Sequence, residues 1–355
     1  MCSMPVLTAS GSHEKYEMNQ EHRWILIFLV LALLATIIAA TMMGSMGPLG
    51  GGHNEISFRA VFDIFVDRAE KWPQGYRSII LDMRLPRVLL ATLVGCALAV
   101  AGTTMQGIFK NPMADPFIIG ISSGASFGAA ASLFLPIEAK FKLPLCTFAG
   151  ALLSVFIVYN LVHVGGKVRV EKLLLSGIAV GSFFSAITSF LIYMAGKQFH
   201  FLIFWLLGGL YTASWTSVHM ACIPILLGTM GILFFSRHLN VLLLGDEPAL
   251  YLGVDVVTVR KILLIFTALV AGVAVAFSGI IGFVGLITPH IMRILVGPNH
   301  RILLPASVVG GALFLIWADT LARTILSPTE IPVGIITSLC GAPFFIYLLR
   351  RSRRE

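Results

Sequence analysis

The chain has 355 residues, of which 57% are hydrophobic and only 12% are charged, and its mean hydropathy is +0.91. Soluble domains carry about 25% charged residues, and intrinsic disorder requires low hydrophobicity, so both classes are excluded. The net charge of +8 does not indicate nucleic-acid binding, because the basic residues lie between apolar runs and at the C-terminal end. That distribution is typical of a membrane protein whose cationic loops fix its orientation.

In chain order, residues 1–23 are polar and of mixed charge, and they predict a cytoplasmic N-terminal tail. The apolar run from Trp24 to Met43 exceeds the 7–15 residues of a signal-peptide core, so we interpret it as a retained first span. Residues 45–83 form a predicted extracytoplasmic segment that contains an amphipathic stretch. Residues 352–355 complete the chain as a second predicted cytoplasmic tail.

Residues 24–351 contain repeated apolar runs and predict one transmembrane domain. The predicted spans lie near 24–43, 85–108, 116–135, 144–164, 173–195, 215–236, 261–278, 282–296, 302–322 and 332–350. Since a spanning helix needs about 20 residues, we expect an all-α, polytopic integral membrane protein with about ten transmembrane helices per subunit and both termini on the cytoplasmic side. The apolar run from Phe201 to Leu210 is too short to cross and predicts a surface or re-entrant helix.

The chain carries no motif for energy conversion or catalysis. It contains no G-x-x-x-x-G-K-[ST] phosphate-binding loop, so it does not hydrolyse ATP by that route. Few charged residues lie in the middle of spans, which argues against an ion-coupled carrier. The five cysteines have no metal-ligand spacing, and we expect no cofactor, metal or catalytic residue. These features favour a passive pathway that is driven from outside the chain.

Residues 237–260 form the longest stretch on the predicted inner side, and they are amphipathic. Gly245 interrupts the pattern, and Asp246 with Pro248 is typical of a helix start, with the aspartate as cap and the proline in the first turn. We therefore predict two short helices joined by a kink. Its acidic residues are Asp246, Glu247 and Asp255. The segment is either a docking knob for a cytosolic partner or a helix lying on lipid, and acidic groups facing anionic lipid favour docking.

A stripe of small residues recurs every four positions in the span 173–195. Its members are Gly177, Gly181, Ser185 and Ser189. Such a stripe either allows two helices to pack closely or lines a wet cavity, and the spacing alone favours close packing.

Three arginines lie at predicted outer ends of spans. Arg84 and Arg87 flank a proline, while Arg323 follows Asp319 by one helical turn, the spacing of an ion pair on one helix. They either snorkel toward the interface or form a cluster of cations for acidic groups on an extracytoplasmic partner. Position alone favours snorkelling.

Longer strings carry a family resemblance. They are Arg84-Leu-Pro-Arg87, the run from Gln106 to Pro116, Gly120-Ile-Ser-Ser-Gly124, Leu244-Gly-Asp-Glu247, the run from Ser278 to His290, His300 to Pro305, Ala318 to Arg323, Pro332-Val-Gly334 and Gly341-Ala-Pro343. From Trp24 to Arg351 the sequence resembles the permease subunits of type II ABC importers for iron chelates, haem and vitamin B12.

This resemblance implies a type II ABC importer permease fold in the inner membrane. It implies a second permease copy, forming a homodimer, two cytosolic ATP-binding subunits and an extracytoplasmic substrate-binding protein. The chain would then be no enzyme by itself. The cargo it implies is an iron chelate, either a siderophore or haem, with vitamin B12 as the alternative. An ion-coupled secondary transporter is the alternative from another class.

The resemblance also assigns roles to residues. The predicted ATPase-coupling residues are Leu244, Gly245, Asp246, Glu247, Pro248, Leu252 and Gly253, and we call residues 237–260 the coupling segment. Arg84, Arg87 and Arg323 are the predicted binding-protein docking residues, which replaces the snorkelling interpretation. The predicted translocation pathway contains Gly177, Gly181, Ser185 and Ser189. The predicted cytoplasmic gate is Val170 and Glu171, where vitamin B12 importers tend to have small hydroxyl residues.

Overall fold

A computed structural model describes residues 20–43, 61, 63–64, 72, 74–136, 139, 141–162 and 170–352, and this part of the chain is built from helices. The α-helices are α1 Gln20–Met42, α2 Gln74–Ser78, α3 Leu85–Phe109, α4 Ile121–Ser132, α5 Lys142–Val162, α6 Val170–Met194, α7 Phe199–Leu206, α8 Trp215–Phe234, α9 Ser236–Leu244, α10 Asp246–Tyr251, α11 Val256–Ser278, α12 Val284–Val296, α13 His300–Thr324 and α14 Val333–Ser352. Residues 1–19, most of the predicted extracytoplasmic segment and residues 353–355 lie outside the described residues.

A helix coincides with each of the ten predicted spans, which confirms the prediction of an all-α, polytopic fold. Among the described residues, seven helices are long and apolar enough to cross a membrane: α1, α3 with the turns before it, α5, α6, α8, α11 and α13. The other three predicted spans correspond to helices that are short or only partly apolar, and α4 is clearly shorter than the predicted span 116–135. Helices α4 and α12 have 12 and 13 residues, about 20 Å at 1.5 Å per residue, and α14 is apolar over its first 16 residues. Helix α7 has 8 residues, as expected for a segment too short to cross.

The centre of the subunit is formed by α3, α11 and α13, which are buried over most of their length. Helices α3 and α13 touch through their backbones at Gly95 and Gly311, where a Cβ on either residue would collide with the carbonyl group of the other. Small residues allow this approach, and close van der Waals packing is the main source of helix association in membranes. The core is therefore a tightly packed bundle, with the functional residues at its two ends.

The two ends of the bundle are defined by the flanks of α3. Arg84 precedes this helix, and Lys110, which follows it, forms an ion pair with Asp246 of the coupling segment at 3.5 Å. A helix of 25 residues is about 37 Å long. We call the end near Lys110 the coupling end and the end near Arg84 the distal end.

The outer helices expose large apolar side chains. They include Phe28 and Leu31 on α1, Phe156 on α5, Phe183 and Phe190 on α6, and Leu227 and Met230 on α8, each more than half exposed. Exposed apolar area on this scale marks a lipid or protein interface, in agreement with the composition.

Candidate functional site

The coupling segment consists of two short helices joined by a sharp bend, as the sequence predicts. Between α9 and α10, Gly245 has φ 126° and ψ 167°, a conformation that is essentially restricted to glycine. The predicted cap was wrong in detail. Gly245 itself occupies the N-cap position, while Asp246 is the first helical residue and makes no capping hydrogen bond. Its carboxylate is instead used to hold the segment against the bundle.

The carboxylate of Asp246 joins three parts of the coupling end. It accepts hydrogen bonds from Arg260 of α11 at 2.6 and 2.8 Å and lies 3.5 Å from the Lys110 ammonium group. Hydrogen bonding from Arg260 lowers the pKa of the Asp246 carboxyl below its usual 3.8. Asp246 therefore stays ionised at neutral pH, and its charge is neutralised within the subunit.

A second acidic residue of the segment has a purely local role. Asp255 caps α11 by accepting from the backbone N–H groups of Val257 and Thr258, both at 3.1 Å. The Thr258 hydroxyl donates to the same carboxylate at 2.6 Å, and these hydrogen bonds lower the pKa of the Asp255 carboxyl. Of the three acidic residues, the exposed Glu247 is thus left to face outward.

A chain of amides fastens α9 to the start of α13. Asn240 donates to Asn299 Oδ1 at 2.7 Å, and its own Oδ1 accepts from the His300 backbone at 2.8 Å. Asn299 in turn caps α13 by accepting from the backbone N–H of Arg301 at 3.0 Å. The coupling segment is therefore anchored to α3, α11 and α13, the three helices of the core.

The outward face of the coupling segment is apolar. Leu239, Leu242 and Ala249 are fully buried against the bundle. The apolar side chains that are more than half exposed are Leu244 (65%), Leu250 (60%), Tyr251 (91%) and Leu252 (62%). A rigid apolar knob with an aromatic residue at its tip has the chemistry of a protein-binding surface.

At the distal end, Arg84 and Arg323 hold the end of α1. Arg84 donates to the carbonyl groups of Thr41 and Met42 at 3.2 and 2.6 Å, and Arg323 donates to those of Met43 and Ala40 at 3.1 and 3.3 Å. These carbonyls carry the negative end of the helix dipole and have no partner within the helix. Both arginines are buried, so they do not snorkel.

The third arginine belongs to a buried ion-pair network. Arg87 binds the Asp319 carboxylate through Nε and Nη2, at 3.0 and 2.8 Å, and binds Glu330 through Nη1 at 2.8 Å. Asp319 also pairs with Arg323 at 3.1 Å, which confirms the pairing expected from their spacing. Arg87 and Glu330 line a cavity of about 230 Å³ together with Tyr211 and other residues. Arg87 thus borders a cavity at the distal end.

The small-residue stripe of α6 is divided between two environments. Gly177 packs against the backbone of Ile118, where a Cβ would collide with a carbonyl oxygen. Ser185 and Ser189 are exposed on the subunit surface, while Gly181 is half-buried. Close helix packing therefore explains Gly177, whereas it does not explain Ser185 and Ser189, which face outward.

The predicted gate lies at the start of α6. Val170 is the first residue of the helix and Glu171 is exposed.

Sequence reasoning missed several residues that anchor the coupling segment. They include Arg260, Asn240 and Asn299, because no sequence pattern indicates which residues they contact. Their partners are 14 and 59 positions away, beyond any helical spacing.

Comparison with known proteins places this arrangement in a family. The chain matches the FecCD transport family over residues 37–351. It is 46% identical to the cobalamin import system permease protein of Halobacterium salinarum, over 78% of this chain and 75% of that protein. It is 40% identical to the hemin transport system permease protein of Yersinia pestis, over 94% and 97%.

The fold agrees with a solved structure. An inward-facing conformation of a metal-chelate type ABC transporter superposes with a TM-score of 0.80 and 32% identity, covering 93% of this chain and 99% of that one. The match over nearly the whole chain shows that the fold and the sequence motifs agree. The chain belongs to the FecCD transport family and is a multi-pass membrane permease subunit of an ABC importer, which works with separate ATPase and binding-protein partners.

Proposed function

We propose that this permease carries an iron chelate, a siderophore or haem, delivered by an extracytoplasmic binding protein. The observation that best supports an ATP-driven mechanism is the apolar knob of the coupling segment. A permease without a phosphate-binding loop needs a surface of this kind to bind a separate ATPase. The hemin and metal-chelate transporters among its relatives support the cargo. Vitamin B12 is the second candidate, favoured by the cobalamin permease at 46% identity.

The proposed assembly has two copies of this chain, two ATP-binding subunits and one binding protein. The coupling end faces the cytoplasm of the cell, both termini lie on that side, and the protein resides in the inner membrane. The exposed serines of α6, Ser185 and Ser189, support a pathway along the contact between the two copies. Glu171 at the start of α6 is an exposed carboxylate at the proposed cytoplasmic gate. It would give this gate a negative charge, which the small hydroxyl residues typical of vitamin B12 importers would not.

The binding-protein contact is proposed for the distal end. Because Arg84 and Arg323 are occupied by the carbonyls of α1, the arginine suited to receive an incoming carboxylate is Arg87. It borders the cavity beside the partly exposed Glu330, and an acidic residue of the binding protein would compete with Glu330 for the guanidinium group.

The cargo is tested by transport into proteoliposomes that contain the permease, its ATPase and its binding protein. Ferric siderophore, haem and cobalamin are offered separately, with and without ATP. ATP-dependent uptake of an iron chelate supports the first proposal, and uptake of cobalamin alone replaces it with the second. Uptake by the permease alone under an ion gradient would contradict both.

The knob is tested separately by pull-down of the ATPase. Tyr251→Ala removes the most exposed aromatic side chain of the coupling segment and should weaken ATPase binding by about tenfold or more. Tyr193→Ala is the matched control, because Tyr193 is 84% exposed near the distal end of α6. Equal binding by both variants would contradict a role of the knob in docking.

A further inference from the structure

A cavity lined by cationic, polar and apolar side chains lies at the coupling end, beside the knob and separate from its exposed face. Its volume is about 360 Å³. The lining residues include Gln106, Lys110, Asn111, Leu243, Arg293 and His300. They come from the end of α3, the loop after it, α9, α12 and the start of α13, so the cavity lies where two core helices, α3 and α13, meet α9 and α12.

The charge around this cavity is positive. Lys110 and Arg293 line it, and none of its lining residues is acidic. The nearby Asp246 accepts two hydrogen bonds from Arg260 and has only a longer contact of 3.5 Å with Lys110. Arg293 contacts a neutral partner, the amide oxygen of Gln106, at 2.7 Å. One carboxylate among three cations leaves an excess of positive charge, which suits an anion.

His300 adds a second and independent feature. His300 lines the cavity and is 2% exposed, and its Nε2 has no hydrogen-bond partner among the described residues. The other ring nitrogen, Nδ1, lies 2.9 Å from Asn240 Oδ1. A buried polar atom is normally satisfied, so the free Nε2 points to a ligand that supplies the missing partner.

The hydrogen-bond network fixes which partner is missing. Asn299 Oδ1 accepts a backbone N–H, so Asn240 donates to it through Nδ2 and presents Oδ1 to His300. An oxygen acceptor there requires a proton on His300 Nδ1, and a neutral imidazole then carries a lone pair on Nε2. The cavity therefore offers two cations to an anion and one acceptor to a hydroxyl group.

From these observations we infer that the cavity binds a phosphate group that carries or adjoins a hydroxyl. Inorganic phosphate meets this description at neutral pH, and so does the headgroup of phosphatidylglycerol. Basic pockets between transmembrane helices at the cytoplasmic side are known sites for anionic lipid headgroups. The inference is independent of the cargo proposed above and uses the proposed orientation only for the lipid source.

The test uses the purified full-length permease. Native mass spectrometry measures the retention of phosphatidylglycerol against phosphatidylcholine, and a thermal melt of delipidated protein measures the response to inorganic phosphate and to sulfate. Arg293→Gln should weaken anion binding by about fivefold, as expected for one cation, and Arg293→Lys should restore it. Arg301→Gln is the control, since Arg301 is exposed at the same end and does not line the cavity.

Retention of phosphatidylglycerol that Arg293→Gln reduces would support the site and identify a lipid source. A melting shift with phosphate but no lipid preference would support it with free phosphate as the ligand. Sulfate has no hydroxyl at neutral pH, so an equal response to sulfate would overturn the role of His300. No anion response, or one that Arg293→Gln leaves unchanged, would overturn the site.

Discussion

The Asp246 carboxylate accepts two hydrogen bonds from the Arg260 guanidinium group and thereby fastens α10 to the beginning of α11. The knob of the coupling segment is exposed, but its base is tied to a helix of the buried core. We propose that this ion pair is the joint through which a push on the knob reaches the centre of the subunit.

Replacing Asp246 should uncouple transport from ATP hydrolysis. Asp246→Asn removes the charge while keeping the shape, and it leaves the buried Arg260 without its carboxylate partner. Hydrogen bonds to charged groups contribute about 1.5–3 kcal/mol, so we expect uptake to fall by about tenfold. Asp82→Asn is the control, because Asp82 is an exposed carboxylate at the distal end, away from the coupling segment. Normal uptake in proteoliposomes that contain the Asp246→Asn variant would show that the Asp246–Arg260 ion pair is not needed for coupling.

The same ion pair predicts a pH dependence of stability. Because the pKa of Asp246 is lowered in the folded protein, its contribution is fully present above the unfolded pKa, near 4, and is lost as the pH falls through the lower folded value. Melting curves of wild type and Asp246→Asn should differ by a constant amount between pH 5 and 7 and should converge as the pH falls below about 4. A difference that grows on acidification would contradict the assigned pair.

Removing the shared carboxylate at the distal end should be far more costly. Asp319 is 1% exposed and pairs with both Arg87 and Arg323, so Asp319→Asn leaves the buried Arg323 without a carboxylate partner and leaves Arg87 with Glu330 alone. Breaking a buried pair in this way costs about 3–5 kcal/mol. Glu330→Gln tests the same network at a site that is 33% exposed, where an ion pair contributes up to about 1 kcal/mol. Denaturation in SDS measures the stability of both variants. Similar losses of stability in Asp319→Asn and Glu330→Gln would show that burial does not determine how much each carboxylate contributes.

Sequence reasoning succeeded where the cause is local. The kink at Gly245 and the apolar spans depend on residues next to one another, as does the Asp319–Arg323 pair. It failed where the partner is distant. The carbonyls that bind Arg84 lie 42 and 43 positions earlier in the chain, so no local spacing indicates that Arg84 holds the end of α1.

We expect the distal arginines to differ in function, with Arg87 binding the partner protein and Arg84 stabilising the subunit. If Arg87 meets the binding protein, Arg87→Gln should weaken docking by about tenfold, and wild-type docking should weaken with added salt. Arg84→Gln should instead lower thermal stability and leave the affinity of the folded protein unchanged, because its contacts lie within the subunit. Binding of the two variants to the immobilised binding protein at several salt concentrations separates these outcomes. A loss of affinity in Arg84→Gln equal to that in Arg87→Gln would show direct contact by both.

The bend at Gly245 should be intolerant of any side chain. Its φ of 126° with ψ of 167° costs a non-glycine residue about 1–3 kcal/mol, and an added Cβ would lie 3.2 Å from Cδ of Pro248. In Gly245→Ala, α10 must therefore rotate away from its contact with Arg260, which displaces the knob. We expect weaker ATPase binding in pull-downs while the permease stays folded, because the core helices do not depend on this residue. Gly282→Ala is the control, since a Cβ there meets no atom within 4 Å and the position lies away from the knob. If Gly245→Ala binds the ATPase as well as that control does, the orientation of α10 is not what the partner recognises.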